Sequence, residues 1–323
     1  MGLAISNTVI GIKAEATPYT WNAPAAGDSF PAITPKWDPD GDNYQRKETR
    51  EHFGVLDEIP GKKFGVITFG TLLVGSGTAG TAAHWETALM GAGFFKDTGT
   101  ASTLLYKPSS RFDGAVVGSV TYPSKSYSLS MYEDGVHYSM SGAVGTVKFM
   151  CIAGEPIEMQ FEFRGAFRLP TDASVLVPTG VSTEAPPTFM GAGLTAIASY
   201  APVFENLEVD MANNLSQLVD ANDSAGVTGY QITGRRITGS FNPDMELVAT
   251  NPWFTQWHQG TTGAIGTGKL GSAGNQLEID MPRCQYGKPS MEDVEQRRRL
   301  GLPFSVVTSP TAVAGDDFVL TVT

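Results

Sequence analysis

Residues 126–167 read SYSLSMYEDGVHYSMSGAVGTVKFMCIAGEPIEMQFEFRGAF. Tyr127, Leu129 and Met131 alternate with Ser126, Ser128 and Ser130. Asp134-Gly135 makes a turn, after which Val136, Tyr138 and Met140 alternate with His137, Ser139 and Ser141. Gly142 and Gly145 are expected to break the chain. Val147, Phe149 and Cys151 carry the apolar face of the next strand, and Gly154-Glu155-Pro156 turns again. Ile157, Met159, Phe161 and Phe163 then alternate with Glu158, Gln160, Glu162 and Arg164. Successive side chains of a strand point to opposite faces, so a period of two puts one set in a core and the other in water. With Gly turns between the runs, the stretch predicts an antiparallel meander with one wet face.

Helices are scarce on either side of this meander. Residues 82–92 place Trp85, Ala88, Leu89 and Ala92 on one stripe. Residues 252–259 follow Asn251-Pro252, an N-cap with Pro at the first helical position, and carry Trp253, Phe254 and Trp257. Met291 to Leu300, rich in Glu and Arg and ended by Gly301 and Pro303, is a third short candidate. The first aromatic helix follows the apolar run Phe64 to Val74, the second follows Tyr230 to Val248, and more strands come after each, such as Leu277, Ile279 and Met281. This repetition predicts two halves of similar design, residues 61–185 and 186–323. Residues 1–60 hold Pro18, Pro24, Pro31, Pro35 and Pro39 and a charged run from Lys36 to Glu58. They are expected to form an arm and a loop outside the core.

The 323 residues, 41% of them apolar, suffice for a packed core. Only 17% are charged, which fits a surface largely covered by other copies of the chain. The net charge of −11 argues against a sequence-independent grip on DNA, which needs Lys and Arg against phosphate. It does not argue against a surface that DNA passes without sticking. Cys151 and Cys284 are expected to be reduced thiols, because a secreted scaffold usually carries more cysteines at patterned spacings. No basic stretch followed by a long apolar run marks a signal peptide, and no run approaches the ~18 apolar residues of a membrane span. Met1-Gly2-Leu3-Ala4-Ile5-Ser6 fits a short myristoylation pattern that nothing else in the chain supports.

Several motifs suggest chemistry, and each has a plainer reading. Gly75-Ser76-Gly77-Thr78-Ala79-Gly80 is a literal G-x-G-x-x-G between an apolar strand and a helix, with Asp97 about 20 residues on, as an NAD-binding fold demands. The meander that follows lacks the strand–helix alternation of such a fold, so a strand-to-helix turn is expected and no cofactor. Asp38, Asp40 and Asp42 resemble the start of a calcium loop, but Gly comes at the fourth position and Thr49 stands where the bidentate Glu belongs, so no metal is expected. His52, His84, His137 and His258 show no paired metal spacing, and no G-x-S-x-G elbow surrounds any Ser. Glu158 and Glu162 share a strand face and could pass for an acid–base pair, although a solvated face is the plainer reading. Arg297-Arg298-Arg299, offset by Glu292, Asp293 and Glu295, suits a subunit contact better than nucleic acid. Catalysis is therefore not expected.

The segment from Phe64 through Gly80 to Trp85 resembles siphophage tail tube proteins. So do Gly142-Ala143-Val144-Gly145-Thr146-Val147-Lys148-Phe149, Ala153-Gly154-Glu155-Pro156 and Met159-Gln160-Phe161-Glu162-Phe163-Arg164-Gly165. Tyr230 to Phe241, with Arg235-Arg236-Ile237-Thr238-Gly239, is similar to the later strands of that family. The resemblance implies a mainly β, antiparallel sandwich or barrel flanked by a helix, in rings that stack into a hollow tube around DNA. Some members form hexameric rings, and others carry an internal duplication and form trimeric ones. The two-half pattern favours the trimer. The partners implied are further copies of the chain, other phage tail proteins, and genomic DNA that passes without specific binding.

Two sets of site residues follow. Lys36, Asp40, Asp42, Arg46, Lys47 and Arg50 belong to the charged segment, which holds few apolar residues and is expected to be a loop contacting an adjacent subunit or ring. Glu158 and Glu162, Glu208 and Asp210, and Glu278 and Asp280 each alternate with apolar residues, so they face out of the core. They are the candidates to line a channel, where negative charge repels phosphate. Two other functions compete: a virion or surface module that binds a receptor or glycan, and an NAD-binding enzyme using Gly75–Gly80.

Overall fold

The computed structural model describes residues 7–49, 51, 54–191, 201–308 and 316–323, together with the backbone of 195–196. The myristoylation pattern at Met1–Ser6 and the candidate Arg50 lie outside these residues.

The chain opens with β1 (Thr8–Ala14) and β2 (Ser29–Pro31). A long hairpin follows, made of β3 (Ile33–Tyr44) and β4 (Ile59–Leu72). Helix α1 (Glu86–Gly91) leads into β5 (Phe94–Thr100) and β6 (Thr103–Pro108), with the short β7 (Val116–Val117) and β8 (Val120–Thr121) beside them. The meander is β9 (Tyr127–Glu133), β10 (Val136–Ile152) and β11 (Glu158–Phe167). Two-residue strands β12 (Thr171–Asp172) and β13 (Thr195–Ala196) precede β14 (Phe204–Asp210). A separate hairpin, β15 (Asn213–Val219) and β16 (Val227–Arg235), comes before β17 (Thr238–Pro243). Helix α2 (Trp253–Gln259) is followed by β18 (Thr262–Gly266), β19 (Leu277–Tyr286), β20 (Ser290–Val294), β21 (Arg297–Val306) and β22 (Val319–Val322).

Every pairing among the described strands is antiparallel, and the fold is mainly β, as the alternation predicts. One layer runs β3-β4-β11-β10-β14-β17-β21-β19. Over it lie β2-β1-β9 and β5-β6-β22, whose apolar residues share one core with the first layer. Phe94 of β5 meets Phe149 of β10 edge to face, and Phe30 of β2 meets Phe69 of β4 in the same way. The strand order is the same in the two parts of the large layer. The first strand pairs with the second, the second leads to a helix and pairs with a later strand, β11 or β21, and that strand pairs with a long strand before it, β10 or β19: β3-β4-β11-β10, then β14-β17-β21-β19. Both first strands bulge within four residues of their start, between Ile33 and Lys36 and between Phe204 and Leu207.

The structure corrects several expectations. The described residues of the 1–60 stretch are not all an irregular arm: Ile10 and Ile12 of β1 are fully buried, and β1 pairs with β9 along its whole length. Pro35 and Pro39 sit within β3, which is tolerable because β3 is an edge strand with one neighbour. Gly142 does not end a strand. β10 runs through it as a bulge, with Gly142 at φ 62°, and a Cβ there would stand 2.5 Å from the Thr228 carbonyl oxygen of β16. The third helix candidate is instead the hairpin β20–β21, turned by Glu295 and Gln296 at positive φ. Acids and arginines spaced for a helix pair equally well across a hairpin, as Arg298 does with Asp293 at 3.1 Å. In α2 the N-cap position falls on Pro252, and no side chain caps the helix.

The serine face of β9 is not wet. Ser126, Ser128 and Ser130 are buried. The Ser126 and Ser128 hydroxyls and the Gly142 N–H all donate to the buried Glu15 carboxylate. The chain between β1 and β2 covers this face, with the Tyr19 and Asn22 amides donating to the same two serines.

Candidate functional site

Directly opposed residues of a ladder share a face. In the large layer one such row runs Gln160, Lys148, Asp210, Thr238, Ser305 and Gln285, from β11 across β10, β14, β17 and β21 to β19. Their neighbours in the strands, among them Phe161, Phe149, Val209, Phe304 and Tyr286, are buried in the core. Along this row the face is polar across both parts of the layer; further along β10 and β4 it turns apolar at Val144 and Phe64, where the β15–β16 hairpin packs on it through Leu215, Val227 and Tyr230. Glu158 and Glu162 of β11 and Glu208 and Asp210 of β14 all lie on it, on either side of β10. A shallow hollow of about 470 Å³ borders Glu208, Asp210, Ser240 and Gln285.

The cations on this face sit among the acids. Lys148 Nζ lies 2.7 Å from Glu208 Oε1, and Arg164 Nη2 lies 2.8 Å from Glu162 Oε1. Gln160 Nε2 donates to Glu158 Oε1 at 3.2 Å, and the Ala212 N–H donates to Asp210 Oδ1 at 2.8 Å. The four paired side chains are 34–44% exposed, so water screens these pairs and they add little stability. On β10, β11 and β14 four carboxylates of this face stand against two cations, an excess of two negative charges on those three strands. Arg164 could be read from the alternation of β11. Lys148 could not, because nothing local says that β10 runs between β11 and β14.

Glu278 and Asp280 stand apart from the other four acids. They lie in the first half of β19, opposite Thr321 and Val319 of β22, and Asp280 is also opposite Gly266 of β18. Burial raises the Asp280 carboxyl above its ordinary range, and the charge of Glu278 adds to the shift. An acid whose folded pKa is raised loses stability as pH rises through that value, because the folded state holds the proton more tightly. Asp280→Asn is therefore expected to raise the thermal midpoint at pH 7 by about 1–2 °C, a small gain because solvent screens the half-exposed group. The gain should vanish as pH falls towards 4. Calorimetry at several pH values checks this, and an equal midpoint difference at all of them would contradict it.

The charged segment is placed differently from expectation. Lys36, Asp40 and Asp42 are on β3, not in a loop, and Arg46 and Lys47 follow its end. The ladder with β4 continues to Tyr44 opposite Ile59, so the segment is an exposed hairpin arm. Lys36 pairs with Asp38, Asp42 with Lys62 at 3.3 Å, and Arg46 with Glu48 at 2.9 Å. Tyr44, Val55 and Ile59 are exposed on the arm. Among the described residues no group of three or more His, Cys, Asp or Glu is placed to hold a metal.

The Gly75–Gly80 segment is tied down by the chain itself. The Gly75 N–H donates to Asn275 Oδ1 at 2.7 Å and the Gly77 N–H to the Gly274 carbonyl at 3.1 Å. Helix α1 starts at Glu86, six residues after Gly80, and Asp97 accepts from the Ser119 hydroxyl. Two amides of the segment are thus already used within the chain, and the helix end is not at the loop. Cys151 and Cys284 are free and buried, and burial pushes both thiols up to about 12. The three arginines of β21 all find partners within the chain: Arg297 with Asp244, Arg298 with Asp293, and Arg299 with Asp244 and Glu205.

These features define an antiparallel β-protein with a broad polar sheet face, an exposed hairpin arm and no helix long and apolar enough to cross a membrane among the described residues. The chain matches the phage tail tube protein family over residues 5–306 and belongs to that family. It is therefore a structural protein of the phage tail. No curated protein matches it.

Proposed function

We propose that the chain polymerises into closed rings that stack into a hollow tube, with the polar sheet face turned to the channel through which the genome passes. The observation that carries this is the polar sheet face, which spans both parts of the large layer and on β10, β11 and β14 holds more acids than cations. An acidic wall repels phosphate and lets DNA slide, whereas a basic one holds it by displacing counterions. Glu158, Glu162, Glu208 and Asp210 supply that wall. Glu278 and Asp280 belong to it only if the first half of β19 also turns to the channel. The repeated strand order, β3-β4-β11-β10 and β14-β17-β21-β19, supports two ring units per chain, the first starting at β3 and not at residue 61, and hence three copies per ring. The tip of the β3–β4 arm, from Asp40 to Arg50, contacts the next ring. Other tail proteins meet the tube at its ends, and assembly takes place in the bacterial cytoplasm. The role is structural, with no cofactor.

Cryo-electron microscopy of the purified, concentrated protein tests this. Stacked rings of three copies with the four acids facing the channel are expected. A stable monomer at high concentration overturns the reading, six copies per ring overturn the trimer, and a channel lined by Lys and Arg overturns the mechanism.

A further inference from the structure

Within the chain, β10 of the first part of the layer pairs with β14 of the second: Phe149 lies opposite Val209 and Met150 opposite Glu208. The layer then ends at two edges that have no counterpart to this junction. Among the described strands, β3 pairs with β4 alone at one end, and at the other β20, which follows β19 along the same edge of β21, pairs with β21 alone. We infer that the outer edge of β20 pairs antiparallel with the outer edge of β3 in a second copy, repeating the internal junction between subunits. This rests on the ring reading above and adds to it the strands, the register and the side chains that close the ring.

The register follows from matching the two parts. Phe69 opposite Phe161 corresponds to Phe241 opposite Leu302, all four being buried. Glu158 lies three residues before Phe161 and pairs with Met150; Arg299 lies three before Leu302 and pairs with Glu292. Glu292 therefore takes the place of Met150. On the other side, Glu208 pairs with Ser240, one residue before Phe241, and Lys36 pairs with Thr68, one before Phe69. Lys36 therefore takes the place of Glu208.

Across the subunit junction Glu292 then stands opposite Lys36, an acid against a base. The next pair on the core side is Met291 against Trp37. Met291 is 55% exposed in the single chain and Trp37 is half-buried, while their counterparts Phe149 and Val209 are both fully buried. Nothing in this matching selects for opposite charge or for an exposed apolar residue, yet the register yields both. Pro35 and Pro39 lie on the same outer edge, so the subunit junction keeps the register of the internal one but lacks the N–H that Met211 supplies there. The Met211 N–H donates to the Val147 carbonyl, and the Ala153 N–H to the Glu205 carbonyl, so odd-numbered positions of β14 face β10. The matching positions of β3 are Pro35, Trp37 and Pro39, which have three carbonyls but one N–H between them. That edge accepts more than it donates. It pairs less readily with arbitrary strands than a full edge does.

Two kinds of variant test the register. Lys36→Glu or Glu292→Lys places like charges opposite each other at every junction, and each is expected to lower ring yield about tenfold or more. The double exchange, Lys36→Glu with Glu292→Lys, is expected to restore it. Both positions are exposed, so far-UV circular dichroism should show an unchanged β-fold. Lys36→Cys with Glu292→Cys should give intermolecular disulfides on oxidation, in multimers that stop at the closed ring, while either single variant gives none. The native thiols are buried and do not interfere. Rings without cross-linking, or a double exchange no better than either single one, overturn the junction and leave the tube reading standing. Monomers alone from the unaltered chain overturn both.

Discussion

Replacing residues 45–58 by a two-residue Asn-Gly turn is expected to leave rings that no longer stack into tubes. The cut is chosen at the last ladder pair, Tyr44 opposite Ile59, so β3 and β4 keep their register and Asn-Gly supplies the positive φ that a tight hairpin needs. What is removed projects from the body: Val55 is 94% exposed, and the residues described between 45 and 58 are exposed with few exceptions. Such an arm stabilises nothing in the single chain, because it buries almost no apolar surface there. It keeps its charge and its exposed apolar residues for a partner. The core, the Glu292–Lys36 junction and the acid face are all outside the deletion, so ring formation should continue. Electron microscopy and sedimentation should show discs in place of tubes, with mean tube length reduced to about that of one ring. Tubes of normal length from the shortened chain would remove the arm from the contact between rings.

Alternation made the large layer legible, because the second half of β10, β11, β14 and the first half of β19 each bury one apolar set against the core. It failed where burial depends on distant partners. β1 is short and set among prolines, and its place in the core depends on β9, more than a hundred residues later. The β20–β21 hairpin has charges that suit either a helix or a ladder. Its turn uses Glu295 and Gln296 at positive φ, residues that carry no turn signal. The acids of β11 and β14 were readable as outward-facing, strand by strand. Their meeting on one surface was not, since it depends on β14 pairing with the far end of β10. The charged arm was readable as exposed but not as a strand, because Pro35 and Pro39 argue against a strand everywhere except at an edge.

Glu15→Ala is expected to cost about 3–5 kcal/mol of folding stability and to lower the thermal midpoint by roughly 10 °C. The carboxylate is 5% exposed and accepts from the Ser128 hydroxyl at 2.8 Å, the Gly142 N–H at 2.9 Å and the Ser126 hydroxyl. Removing it leaves three buried donors without their acceptor, and each such group carries a desolvation cost of about 1–3 kcal/mol. The loss also reaches the backbone at a place with no room to adjust. Gly142 sits in the bulge of β10 at positive φ, with the backbone of Thr228 and Gly229 of β16 packed against it. Glu15→Gln separates charge from hydrogen bonding. Its amide oxygen can still accept from Gly142 and Ser128, and the Ser126 hydroxyl can rotate to accept from the new NH₂ group, since a serine both donates and accepts. That variant should cost about 1–2 kcal/mol, clearly less than the alanine. Chemical denaturation of the single chain at low concentration, before rings form, measures both. If alanine and glutamine cost the same, the serine cluster is held by the negative charge and not by its hydrogen bonds; if neither costs more than about 0.5 kcal/mol, Glu15 does not hold the N-terminal strand in the core.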